Sequence, residues 1–202
     1  MALADGSEGC AAVDTSSGAL VRAHYQGRAE RPPAAFDVVE AVIGADPDGP
    51  DPTQPEAVVL DRPPSVVGRL RRRRARKLLA PLLLPAYEQP FGFPGSAVPY
   101  WEVPGDRPSL AVVAPERGPL IVRRSESGLG PACRFGWKGV DMELPLADSS
   151  AVRAFDEVSW PQLGGGRLSS VLGFDPRLLV LALSAPRHGR CYKVVAGLLP
   201  TP

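Results

Sequence analysis

Two apolar runs, Leu178-Leu179-Val180-Leu181-Ala182-Leu183-Ser184 and Cys191-Tyr192-Lys193-Val194-Val195-Ala196-Gly197-Leu198, decide the fold. They flank Ala185-Pro186-Arg187-His188-Gly189-Arg190, a stretch of Pro, Gly and charge that reads as the turn of a β-hairpin. Working back along the chain, Ala132 to Phe135 and Val140 to Leu144 flank Gly136-Trp137-Lys138-Gly139 as a second hairpin. Leu110 to Ala114 and Leu120 to Arg124 flank Pro115-Glu116-Arg117-Gly118-Pro119 and read as a third. Between these pairs, Asp148 or Ser149 sits where an N-cap belongs for a short helix from Ser150 to Val158. Arg167 to Leu172 gives another turn or two of helix, stopped by Gly173. Hairpins with short inserted helices predict an α+β fold whose mostly antiparallel sheet lies in residues 109–199.

Upstream of that region the chain changes character. Gly68-Arg69-Leu70-Arg71-Arg72-Arg73-Arg74-Ala75-Arg76-Lys77-Leu78-Leu79 packs seven cations into nine residues. Ser65 is a suitable N-cap, and Pro81 and Pro85 end the pattern, so a basic helix is expected over 65–80. Residues 85–108 hold six prolines and five aromatics, which predicts an ordered loop without regular elements. Before the basic run the chain is acidic and irregular. Residues 1–18 are small and polar and are expected to be disordered. Residues 19–61 read as an acidic extension, with a strand at 19–25, a helix over 34–43, an exposed Pro/Asp linker at 45–55 and a strand at 57–60. The α+β domain proper is then 62–202.

The chain has 202 residues and is 44% apolar, enough for one domain plus an extension. Twenty arginines against three lysines, two isoleucines and no asparagine point to a GC-rich genome. The net charge of +1 conceals a division: residues 1–61 carry −8, residues 62–77 carry +8 and the remainder +1. Three dispersed cysteines and two histidines exclude a disulfide framework and a zinc site of usual spacing. No apolar run approaches the ~20 residues of a transmembrane helix, and the acidic N-terminus does not resemble a signal peptide. A soluble protein in a reducing, intracellular setting is expected: the cytoplasm in a bacterium, with the nucleus as an option in a eukaryote or virus.

Three constellations carry chemistry. Arg69, Arg71, Arg72, Arg73, Arg74, Arg76 and Lys77 repel one another, and a polyanion relieves that repulsion; nucleic acid is the leading candidate, and the protein's own acidic arm is the internal alternative. Phe135 and Trp137 alternate with Arg134 and Lys138, a pattern suited to base stacking on a basic sheet; shared parity also fits two core residues. Asp141 and Glu143 fall on one face of a strand, and with His188 from the last hairpin they offer ligands for Mg²⁺ or Mn²⁺ in phosphoryl transfer or nuclease chemistry; a plain polar strand face fits them too. No complete catalytic set is present, so the leading expectation is a non-enzymatic interaction or structural protein without a cofactor. The metal-dependent enzyme is one alternative. A homo-oligomeric scaffold or coat-type protein, docking through the aromatic loop 87–101, is another.

Overall fold

The computed structural model describes every residue except 7–8, 28, 47–48, 50, 104, 106 and 125–129, and gives the backbone alone at 5 and 6. The expected disordered stretch 1–18, Pro/Asp linker 45–55 and aromatic loop 85–108 therefore lie partly outside the described residues. The protein is α+β, with fourteen strands and three α-helices among the described residues. Residues 1–69 form β1 (Ala2–Gly6), β2 (Gly9–Val13), β3 (Leu20–His24), β4 (Asp37–Glu40), β5 (Ala57–Val59) and β6 (Ser65–Arg69). Helix α1 (Arg72–Leu79) follows, then β7 (Ala97–Pro99), β8 (Leu110–Val113), β9 (Arg117–Val122), β10 (Ala132–Trp137) and β11 (Val140–Pro145). The chain continues through α2 (Ser149–Asp156), β12 (Gln162–Gly164), α3 (Gly165–Leu172), β13 (Pro176–Leu183) and β14 (Arg190–Pro200).

The strands form three four-stranded sheets, ordered β1-β2-β3-β5, β11-β10-β9-β12 and β7-β14-β13-β8, and one β4-β6 pair. Pairing is antiparallel throughout except between β3 and β5. The β13–β14 hairpin is central. Its residues alternate between two cores with the two-residue period of a strand, and a β-bulge at Ala196 shifts the parity of β14 once. Leu179, Leu181, Val195 and Leu198 pack with Ile121, Phe135, Trp137, Phe155 and Leu168 from the C-terminal sheet and helices. Leu178, Val180, Val194 and Leu199 pack with Leu3, Val13, Phe36, Ala75 and Leu79 from the N-terminal region and α1. Such strands read as unbroken apolar runs because both faces are covered. Each fully buried aliphatic side chain contributes about 1.5–3 kcal/mol.

The β10–β11 and β13–β14 hairpins form where expected. Lys138 and Gly139 both have positive φ (53° and 71°), and so do His188 and Gly189 (50° and 75°), the signature of two-residue type I′ turns. Asp148 caps α2 by accepting from the Ser150 and Ala151 amides, and its second oxygen accepts from the Leu198 amide, which joins the cap to β14. Gly173 ends α3 in the left-handed region.

Several expectations are corrected. β8 and β9 do not pair with each other. β8 pairs with β13, and β9 pairs with β10 and β12. All four residues of β8 are buried, so it is drawn into the doubly covered sheet while the chain crosses to the other. The helix expected over 34–43 is a strand at Asp37–Glu40: Val38 and Val39 are β-branched, and Phe36 at φ 71° cannot begin a helix. The basic helix begins at Arg72 and not near Ser65, because Ser65–Arg69 pairs with β4. β7 interrupts the aromatic loop as an edge strand on β14. Thr53 and Gln54, within the expected exposed linker, are buried.

The largest correction concerns residues 1–18. Their described residues form β1 and β2, and Met1, Leu3 and Val13 are at most 3% exposed. Gly197 explains how β1 comes so close to β14. A Cβ placed there would lie 2.3 Å from the Ala4 Cβ, so only glycine permits the approach. Among the described residues no helix is long and apolar enough to cross a membrane. We expect Gly197→Ala to destabilise the protein by about 1–3 kcal/mol in urea unfolding, the usual cost of overpacking, and Ala4→Gly in the same chain to restore part of the loss. A neutral Gly197→Ala would mean that β1 is not seated on β14.

Candidate polyanion interface

Helix α1 is held by a narrow apolar stripe. Ala75 and Leu79, four residues apart, are 0% and 1% exposed, and Leu70, Leu78 and Leu82 pack beside them. The Phe36 amide donates to the Ala2 carbonyl, and the Phe36 carbonyl accepts from the Leu70 amide; Phe36 thus ties β1 to the root of the helix. With that stripe against the core, every basic residue of the run lies on the outside. Arg69, Arg71, Arg72, Arg73, Arg74, Arg76 and Lys77 are all exposed.

Among the described residues two of these cations have protein partners. Arg69 lies 4.0 Å from an Asp37 carboxylate oxygen, and Arg76 donates to the Pro202 main-chain oxygen at 3.0 Å. Among the described residues no carboxylate forms an ion pair with Arg71, Arg72, Arg73, Arg74 or Lys77. The internal alternative, an acidic arm lying over the helix, is therefore limited to Asp37 among the described residues. Three other acids of that region are engaged elsewhere. Asp14 accepts from Ser16 and Ser17, and these hydrogen bonds, led by that from Ser17, hold its carboxyl below the usual range. Asp51 accepts from Thr53. Glu56 faces Arg22 at 3.4 Å and accepts from the Ser109 hydroxyl and amide.

The helix places its charge unfavourably for its own stability. Arg72, Arg73 and Arg74 occupy its first turn, Arg71 is its N-cap without a side-chain hydrogen bond, and the first turn has no acid. The positive end of the helix dipole and these guanidiniums add, where a first-turn anion would gain about 0.3–1 kcal/mol.

Two other cations turn inward, Arg22 part-buried and Lys193 fully buried. Arg22 donates to the carbonyls of Leu183 and Ser109 and to the Ser109 hydroxyl, and so joins β3 to the central sheet. Lys193 is fully buried on β14 and donates to the Phe93 carbonyl; burial pushes its pKa down from 10.5 to about 8.

The other sequence-derived sites do not assemble. Phe135 and Trp137 are each 2% exposed and belong to the C-terminal core, with the Trp137 indole donating to the Glu88 carbonyl. A buried ring has no face for a base, so the stacking role is withdrawn from both. Asp141 pairs with Arg117 and Glu143 with Arg134. The groove of about 230 Å³ beside them does not include His188 among its lining residues. Among the described residues no three His, Cys, Asp or Glu side chains gather as a metal site. Among the described residues Asp141 and Glu143 are not gathered with His188 as a three-ligand cluster; alternation put both acids on one face, where Arg117 of β9 and Arg134 of β10 pair with them. The exposed aromatics lie elsewhere: Tyr87 at 76%, Trp101 at 68%, Tyr100 at 48%, Trp160 at 40% and Tyr192 at 37%, of which Trp101, Tyr100 and Tyr192 gather near the β13–β14 turn. The signal for Trp101 was its place in a proline-flanked loop that cannot enter a sheet interior.

Comparison with family models, curated proteins and solved structures finds no match to this chain.

Lys193 provides a pH test. Its folded pKa lies below the unfolded value, so between about pH 8 and 10.5 the unfolded chain binds more protons and stability rises with pH. The destabilisation is complete below about pH 8. We expect wild type to gain about 2–3 kcal/mol on Lys193→Met between pH 7 and pH 10 in urea unfolding. Parallel pH curves for the two proteins would contradict the assignment.

Proposed function

We propose that this chain is a non-enzymatic nucleic-acid-binding protein that engages the phosphate backbone through the exposed cations of residues 69–77. One observation carries the reading. Five cations of this stretch, Arg71 to Arg74 and Lys77, stand exposed without a carboxylate partner among the described residues, four of them at the positive end of α1. Like charges this close repel, and a run of phosphates removes the repulsion while releasing condensed counterions. Arginine suits phosphate because its planar fork donates in pairs. The apolar stripe of Ala75 and Leu79 fixes the helix to the core, so the cations fan out from a fixed backbone, and less freedom is lost on binding.

Contacts of this kind go to the backbone and carry no sequence information. Binding therefore depends on charge and salt more than on base sequence. We expect the affinity for a labelled DNA oligonucleotide to fall with salt, with a slope of log K against log[salt] of about −4 for five phosphates neutralised. Reversing Arg72 and Arg73 to Glu reduces the magnitude of that slope by about 2 and weakens binding equally across sequences. No binding at low salt, or an unchanged slope in the double variant, would contradict the proposal.

A further inference from the structure

Far along β14 from the Pro202 oxygen that Arg76 holds, the tip of the β13–β14 hairpin carries a second group of cations, this time with aromatic rings. Arg187 and Arg190 exchange both main-chain hydrogen bonds, at 2.8 and 3.0 Å, across the His188-Gly189 turn. Residues paired this way project to the same face of a ribbon, and like charges directly opposite are unfavourable. Both arginines are exposed, and among the described residues neither has an ion pair; the acid nearest Trp101 in sequence, Glu102, pairs with neither. Tyr192 shares the Arg190 face by strand alternation and is part-exposed.

Edge strand β7 brings the other rings. Pro99 pairs with Arg190, and Ala97 with Tyr192. The Tyr100 amide donates to the Gly189 carbonyl at 3.2 Å. The Trp101 ring lies 3.5 Å from where a Cβ on Gly189 would stand, so the indole rests against the turn. Tyr100 and Trp101 meet edge to face, with centroids 5.4 Å apart and planes at 82°. The contact with Gly189 and the Tyr100 edge fix the indole, yet most of Trp101 faces solvent. Fixed, exposed rings beside unpaired guanidiniums match what unpaired nucleotides require: π-faces for bases and donors for phosphates. A duplex hides its base faces and can use only the cations.

We infer that this hairpin tip, with Trp101, Tyr100, Tyr192, Arg187 and Arg190, is a stacking site for unpaired bases of single-stranded nucleic acid. The inference rests on the nucleic-acid reading above and narrows its substrate to strands with free bases.

The test uses tryptophan emission of the full chain, titrated with a 20-nucleotide oligodeoxythymidylate, a duplex of equal length and anionic phospholipid vesicles. The single strand is expected to quench emission; the duplex is not. Trp101→Leu, checked for folding by circular dichroism, removes the Trp101 share of the quenching, leaving only what Trp160, 40% exposed, contributes, and weakens single-strand binding about 10-fold, with duplex binding unchanged. Arg190→Glu weakens single-strand binding in a chain that keeps every ring, and so tests the site even if Trp101→Leu does not fold. Reversing Arg72 and Arg73 weakens both nucleic acids but leaves quenching at saturation intact. Single-strand binding with no change in Trp101 emission and full affinity in both tip variants would overturn this inference alone. A response to vesicles but not to the single strand would assign the tip to lipid and overturn it as well. Absence of all nucleic-acid binding at low salt would overturn both this inference and the reading it rests on.

Discussion

Burial of the β13–β14 hairpin and β8 on both faces is the constraint on which the rest depends. An apolar strand with one face open to water would leave half its side chains without packing, and here both halves are apolar. Two covers are required. The chain after β8 supplies one, from β9 to α3. The chain before it supplies the other, from β1, β2 and α1. Residues 1–61 are for this reason bound into the core of residues 62–202. Gly197 marks one close point of that union, where Ala4 and β14 leave no room for a methyl group.

The same constraint disposes the charges. Once the acidic region is folded over the central sheet, its carboxylates are fixed where the strands put them. Glu56 is buried against Arg22 and Ser109, and Asp37 is buried near Arg31 and Arg69. Nearly equal and opposite charges in neighbouring segments look like a clamp, yet geometry leaves the cations of α1 outside it. Net charge is a sum over the chain, whereas neutralisation requires contact, and the two differ here. The consequence is an exposed basic helix at one end of β14 and, at the other, a turn with paired arginines and open aromatic rings.

Much of the C-terminal half was legible because its signals are local. Asp148 and Gly173 are cap residues, and Lys138-Gly139 and His188-Gly189 suit the turns they make. What escaped reading is non-local or ambiguous. Small residues such as Ala2, Ala4, Ala11 and Ala12 have low strand propensity and look disordered, yet small residues are what a close sheet-to-sheet approach requires. The partner of β8 lies some 70 residues away, and no local pattern encodes it. Val38, Val39, Val66 and Val67 fit a helical period by position and a strand by branching; tertiary pairing chose the strand. The basic run was visible at once, but its exposure depends on where eleven acids come to rest. The stacking pattern failed for a related reason. Phe135 and Trp137 share the parity of the buried face, while Trp101, in a loop with no period, is among the rings left open.

Hydrogen–deuterium exchange on the full chain, with and without a single-stranded oligonucleotide at low salt, tests the central claim most directly. The claim is that the acidic N-terminal region is built into the core and leaves the cations of α1 to an outside polyanion. It predicts slow exchange at residues 9–13 in the free protein, and further slowing on addition of nucleic acid at 69–79 and at 186–192, with 140–145 unchanged. Exchange of residues 9–13 at the rate of an unstructured chain, together with no effect of nucleic acid on 69–79, would contradict it.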